Sequence, residues 1–239
     1  MHLHPEKDKH QLDHVEEHLQ SSDFIKDIVI GMSDGLTVPF ALAAGLSGAV
    51  DSSALVVTAG LAEIAAGSIA MGLGGYLAGR TEIDHYDAEE KREYYEVDHL
   101  KQKEVEETSE IFAAMGLSGN TVRVAVEELA QDKDKWVKFM MKYELDLEKP
   151  SPKRARNSAF TIGLSYIVGG IIPLCPYFIV AHPKDGLLYS AGITLVCLFF
   201  FGYFKSKMTG QPLFKGALKV MAIGAIAAAT AFGIAKLFS

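Results

Sequence analysis

Cysteine is scarce in this chain: Cys175 and Cys197 are its only two, and both fall in apolar runs. That excludes a disulfide framework, and their spacing is not that of a metal site. The first twenty-odd residues are polar and histidine-rich, so no cleavable signal peptide is expected. Glycine and proline are missing from Thr81 to Met115, which removes the usual turn signals from that stretch. Charge is also missing from long parts of the chain. The 239 residues are 49% hydrophobic with a mean hydropathy of +0.16, yet 22% are charged. Apolar spans and a charged insert must therefore be segregated.

Five apolar runs stand out, at roughly 26–49, 53–79, 158–180, 186–204 and 215–238, each near the length of a bilayer crossing. The third carries Pro173 and Pro176, which membrane helices tolerate where neighbours satisfy the freed backbone groups. The fifth is rich in glycine and alanine, which allows close helix packing. Lysine and arginine cluster in "PKRARN" before the third run and in "KSKMTGQPLFKG" between the fourth and fifth. The positive-inside rule then places the N-terminus, the 80–157 region and the 205–215 loop in the cytosol, with the C-terminus on the far side.

The charged insert is strongly acidic. From Thr81 to Glu110 there are 12 Asp and Glu against 4 Lys and Arg, a net of −8 in a chain of net −7. It reads as one long helix to Met115, followed by two shorter helices in "TVRVAVEELAQD" and "DKDKWVKFMMKYELDLE". At about 100° per residue, Glu93, Glu96, Glu104 and Glu107 share one face. On a straight helix the first and last are about 21 Å apart, so a single ion cannot bridge them. Stacked like charges repel, and bound cations remove that cost. An acidic helix face is most often simply solvated. Met140, Met141 and Glu144 on a facing helix shift the balance, because thioethers suit transition metals, although helix packing accounts for at least one of the methionines.

Other patterns weigh less. Glu82 with His85, and Glu96 with His99, match the Glu-x-x-His pattern of di-iron bundles, but that pattern needs its copies on facing helices. Both copies here lie on one helix, so they read as chance or as auxiliary ligands. His10, His14 and His18 are four apart and more often form a polar face than a metal site.

Asp34 in "GMSDGLTVPF" lies inside the first run, and an ionisable residue within a span points to function. Asp34 and Met71 are each about eight residues, roughly 12 Å, from the cytosolic end of their spans. Glu63 lies about two turns deeper. Two carboxylates and a thioether make a path for a divalent cation, with Gly31, Gly35 and Pro39 loosening the first helix. A local cap or ion pair near the interface is the alternative role for Asp34, and within lipid it weighs less than function.

The segments "DIVIGMSDGLTVPFALAAGLSGA" and "AEIAAGSIAMGLGGYLA", with the Glu-rich insert, resemble the vacuolar iron transporter family of plants and yeast. The likeness runs from about His14 to the fifth span. It implies an all-α membrane protein with five transmembrane helices and a cytosolic helical metal-binding domain inserted between the second and third. The segments are then 1–25, 26–80, 81–150 and 151–239. The resemblance implies a homodimer with the ion path at its interface, in the vacuolar membrane. It implies Fe²⁺ moving from cytosol to lumen in exchange for protons, with Zn²⁺, Mn²⁺, Co²⁺ or Ni²⁺ as substitutes. Lipid is an expected partner and nucleic acid is not. Asp34, Glu63 and Met71 match the family's translocation path. Glu93, Glu96, Glu104, Glu107, Met140, Met141 and Glu144 match its metal-domain ligands. Three alternatives remain open: a membrane-anchored iron-oxidising or metal-storing protein, an interaction module on an anchor, and a Mn²⁺- or Zn²⁺-preferring transporter.

Overall fold

The computed structural model describes residues 20–238, and His10, His14 and His18 lie outside them. Among the described residues there is no strand, only eight α-helices and one 3₁₀ turn. They form two compact units, one from residues up to Gly75 and from Asn157 onward, the other from Tyr76 to Arg156.

The first unit contains α1 (Gln20–Ala49), the N-terminal part of α2 (Ser53–His99), α6 (Arg154–Leu174), α7 (Pro183–Met208) and α8 (Leu213–Phe238). All five are long and apolar enough to cross a membrane. Their outward faces are strongly apolar: Ile69 and Leu188 are each 72% exposed and Ile226 is 66% exposed. A soluble protein does not leave so much aliphatic surface in water.

Small residues bring these helices together. Gly31 and Gly35 of α1 lie against the backbone carbonyls of Ile162 and Tyr166 on α6, where a Cβ would clash. Gly169 of α6 returns the contact against Gly35 and Leu36. Lipid offers no hydrophobic drive for association, so close backbone approach must supply the contact energy. Leu36, Phe40, Ala43, Val56, Leu174 and Leu198 fill the interior. Pro173 sits inside α6 and Pro176 in the 3₁₀ turn Cys175–Phe178. The Pro173 carbonyl accepts a 2.7 Å hydrogen bond from Ser190 of α7, so the irregular end of α6 is satisfied by a neighbour.

The second unit is built from the rest of α2, α3 (Lys101–Ala114), α4 (Asn120–Leu129) and α5 (Lys133–Tyr143). Trp136, Val137, Met140 and Met141 of α5 pack with Tyr86 and Val97 of α2 to form its core. Asp132 caps α5, accepting from the Lys135 amide at 3.1 Å. A positive φ of 93° at Gly116 and the Leu117 amide bond to the Phe112 carbonyl end α3 in a Schellman motif.

Two sequence expectations are corrected by the structure. The second span and the start of the acidic helix form one helix, α2, with 47 residues. Its apolar part ends near Ala78 and charged residues follow. The helix expected from Thr81 to Met115 is in fact broken. Leu100, at φ −121° and ψ 31°, separates α2 from α3. The straight ladder of four glutamates therefore does not exist.

Candidate metal centre and ion path

The break at Leu100 turns a row of glutamates into a cluster. Glu93 and Glu96 are on α2, Glu104 and Glu107 on α3, and Glu144 caps the C-terminus of α5. Carboxylate oxygens of Glu93, Glu104 and Glu144 lie within 4.8 Å of one another, and so do those of Glu96, Glu104 and Glu107. Glu104 belongs to both groups, so the five side chains form one centre.

The burial is unusual for acids. Glu93 and Glu104 are both fully buried, and neither oxygen of either one has a hydrogen-bond partner. Burying an ionised carboxylate without a partner costs several kcal/mol. Glu107 is tied at one oxygen to Lys103 at 3.1 Å, while its other oxygen is buried without a partner. Glu96 lies between Lys103 at 3.5 Å and Arg92 at 3.6 Å. Basic groups thus touch only the Glu96–Glu107 side.

Protonation follows from this environment. Burial, then the neighbouring Glu93, pushes the Glu104 carboxyl up to about 8. Burial, then Glu144, pushes Glu93 up to about 7. Glu144 is also raised, first by burial and then by Glu107. Without a cation the centre holds protons near neutral pH; a cation replaces them. Two oxygen ligands about 2.1 Å from one divalent ion are at most about 4.2 Å apart. Small side-chain movements would close these groups on such an ion.

Met140 and Met141 lie in the core of this unit with Trp136 and Val137 and are almost fully buried. Trp136 donates from Nε1 to the Thr108 hydroxyl at 2.8 Å. The Thr108 hydroxyl in turn faces the Glu104 carbonyl at 2.6 Å and the Met140 sulfur at 3.3 Å. This buried chain fixes the α3 turn that carries Glu104 against α5. Sequence reading missed it, because it depends on Thr108 meeting Trp136 across 28 positions. His85 and His99 stand apart from the cluster. His99 stacks on Tyr95 and its Nδ1 faces the Tyr95 carbonyl at 2.9 Å, His85 is exposed, and Glu82 pairs with Arg154 at 3.3 Å.

In the first unit Asp34, Glu63 and Met71 are each half-buried. Glu63 accepts a hydrogen bond from the Tyr166 hydroxyl, while its other oxygen is buried without a partner. Tyr166 connects three helices: its backbone lies against Gly35, next to Asp34, and its ring lies over Gly67, between Glu63 and Met71 on α2. Glycine at 67 leaves the space for that ring. Tyr166 was not among the residues singled out from the sequence.

Five helices long and apolar enough to cross a bilayer, half-buried acids among them, and a helical unit with five converging glutamates define a multi-pass membrane protein with a candidate divalent-cation centre. A family model described as the VIT family matches residues 25–236. Vacuolar iron transporter 1 of Oryza sativa subsp. japonica is 51% identical over 223 residues, 93% of this chain and 88% of that protein. Vacuolar iron transporter 1 of Arabidopsis thaliana is 50% identical over 234 residues, 98% of this chain and 94% of that protein. Protein CCC1 of Saccharomyces cerevisiae is 40% identical over 223 residues, 89% of this chain and 68% of that protein. The chain belongs to the VIT family.

Proposed function

We propose that this protein carries Fe²⁺ from the cytosol into the vacuole in exchange for lumenal protons. One observation carries the reading: a five-glutamate centre in which two fully buried carboxylates have no hydrogen-bond partner. The names of the plant relatives supply the ion and the organelle. In this reading the Tyr76–Arg156 unit lies in the cytosol and collects metal through Glu93, Glu96, Glu104, Glu107 and Glu144, with Met140 or Met141 adding a soft ligand. Concentrated negative charge raises the local cation concentration.

The ion then enters the spans. Asp34 and Met71 accept it after partial dehydration, and a homodimer doubles both groups at a shared interface. Two carboxylates neutralise the ion's charge where the dielectric is low. Tyr166 holds Glu63 in one orientation. Lumenal protons compete for Asp34 and Glu63 and release the metal. Zn²⁺, Mn²⁺, Co²⁺ and Ni²⁺ share enough ligand chemistry to compete. An iron-oxidising role is disfavoured, because His85 and His99 do not join the carboxylates.

The test is Fe²⁺ uptake by the purified protein in liposomes, with and without an acidic interior. Uptake that depends on the gradient supports exchange. Uptake that ignores the gradient removes the proton from the mechanism, and oxygen consumption on Fe²⁺ addition would point to oxidation.

A further inference from the structure

The turn between α7 and α8 is built around a cavity of about 350 Å³ with Lys205, Lys215 and Lys219 on its rim. No carboxylate lines it. From Gly186 to Ser239 the chain has five lysines and no acidic residue at all. Among the described residues, no ion pair or hydrogen bond engages the side chain of any of the three rim lysines.

The placement is unfavourable unless an anion is present. Lys215 lies in the first turn of α8, where the helix dipole disfavours a cation, and no acid occupies that turn. Lys215 and Lys219 are one turn apart on the same face, where like charges repel. Further along that face comes Ile223, with Val220 beside it, and both line the same cavity. The lining thus changes from ammonium groups to aliphatic side chains over about 12 Å of helix. Phe214, 70% exposed, stands next to the lysines.

The wall is also firm. Gly210, at a φ of 65°, ends α7, with the Gln211 amide bonded to the Ser206 carbonyl at 2.9 Å. Ser206 is buried against Gly216 of α8, where a Cβ would strike its hydroxyl. The lysine-bearing helix ends are therefore held together.

We propose that this cavity binds the headgroup of an anionic phospholipid, with phosphate between Lys205, Lys215 and Lys219 and an acyl chain along Val220 and Ile223. The polar-to-apolar gradient favours a lipid over a free phosphate, which needs no aliphatic wall. By the positive-inside rule the turn faces the cytosol, and the cytosolic leaflet is the one rich in anionic lipids. The inference uses the membrane reading but not the identity of the transported ion.

The experiment uses the full chain in zwitterionic micelles, titrated with a phosphatidylinositol monophosphate carrying a fluorescent acyl chain and read by anisotropy. Saturable binding at one site per chain is expected. Each rim lysine contributes about fivefold, so Lys215→Gln with Lys219→Gln should weaken binding about 25-fold. Lys207→Gln with Lys236→Gln removes equal charge outside the cavity and should change it less than about threefold. If the first pair fails to fold, Lys205→Gln alone and Lys215→Arg with Lys219→Arg replace it, with weakening expected only for the former. Equal weakening by both glutamine pairs overturns the site, as does binding no tighter than that of labelled phosphatidylcholine. Competition by a soluble inositol phosphate as strong as by the unlabelled lipid would mark a free-phosphate site and overturn the lipid assignment.

Discussion

Replacing Glu104 with glutamine should make the metal-free protein more stable at high pH while removing its metal site. Glu104 sits in both carboxylate groups and is fully buried. Its carboxyl is raised to about 8 and that of Glu93 to about 7, from 4.5 for each. A carboxyl raised on folding keeps a proton that the unfolded chain has lost. Its favourable contribution is complete below pH 4.5 and is lost as pH rises through the folded value. Each tenfold gain in proton affinity on folding corresponds to about 1.4 kcal/mol. Glu144 is exposed on one side of the centre, and solvent screening there reduces the effect. The expected loss for the Tyr76–Arg156 unit from pH 5 to pH 9 is on the order of 3 kcal/mol. Trp136 is the chain's only tryptophan and is buried in that unit, so its emission during urea unfolding reads the right part of the molecule. The wild-type midpoint should fall from pH 5 to pH 9, and Glu104→Gln should fall much less. Mn²⁺ should restore the wild type at pH 9 and leave the variant unchanged. A wild-type midpoint that is flat or rises over this range would refute the reasoning, because it requires these acids to ionise without cost.

Mn²⁺ affinity measured by titration calorimetry should rise from pH 6 to pH 8 and level off above it, with protons released on binding, since metal displaces the protons of Glu93 and Glu104. Thr108→Val should cost about 1–3 kcal/mol in the same Trp136 unfolding assay, because it leaves the Trp136 N–H without its buried acceptor. Gly35→Val should lower the thermal midpoint in detergent by many degrees and abolish uptake, because the side chain meets the Tyr166 backbone; a wild-type midpoint would mean α1 and α6 do not pack this way.

Much of this structure is legible in the sequence, for identifiable reasons. The five long helices follow from apolar runs of bilayer length, and α4 and α5 from the two shorter helical stretches after Met115. The glutamates of the centre follow from a shared helical face. Their convergence does not follow, because Leu100 breaks the helix with neither glycine nor proline to signal it. The break becomes intelligible only with α5 in place, where Trp136 holds Thr108 and Glu144 reaches Glu93 and Glu104. Tyr166 stayed hidden for a related reason. A tyrosine in an apolar span looks like ordinary packing until α6 is laid against Gly67, 99 positions earlier, and its hydroxyl meets Glu63.

The most direct test of the transport account is the initial rate of Fe²⁺ entry into liposomes with an acidic interior, for wild type and for Asp34→Ala with matched reconstitution. Uptake should be gradient-driven in the wild type and fall to the protein-free leak in the variant, with Mn²⁺ binding by the glutamate centre intact. Uptake by Asp34→Ala at the wild-type rate would contradict the transport account and move the ion path away from the first span.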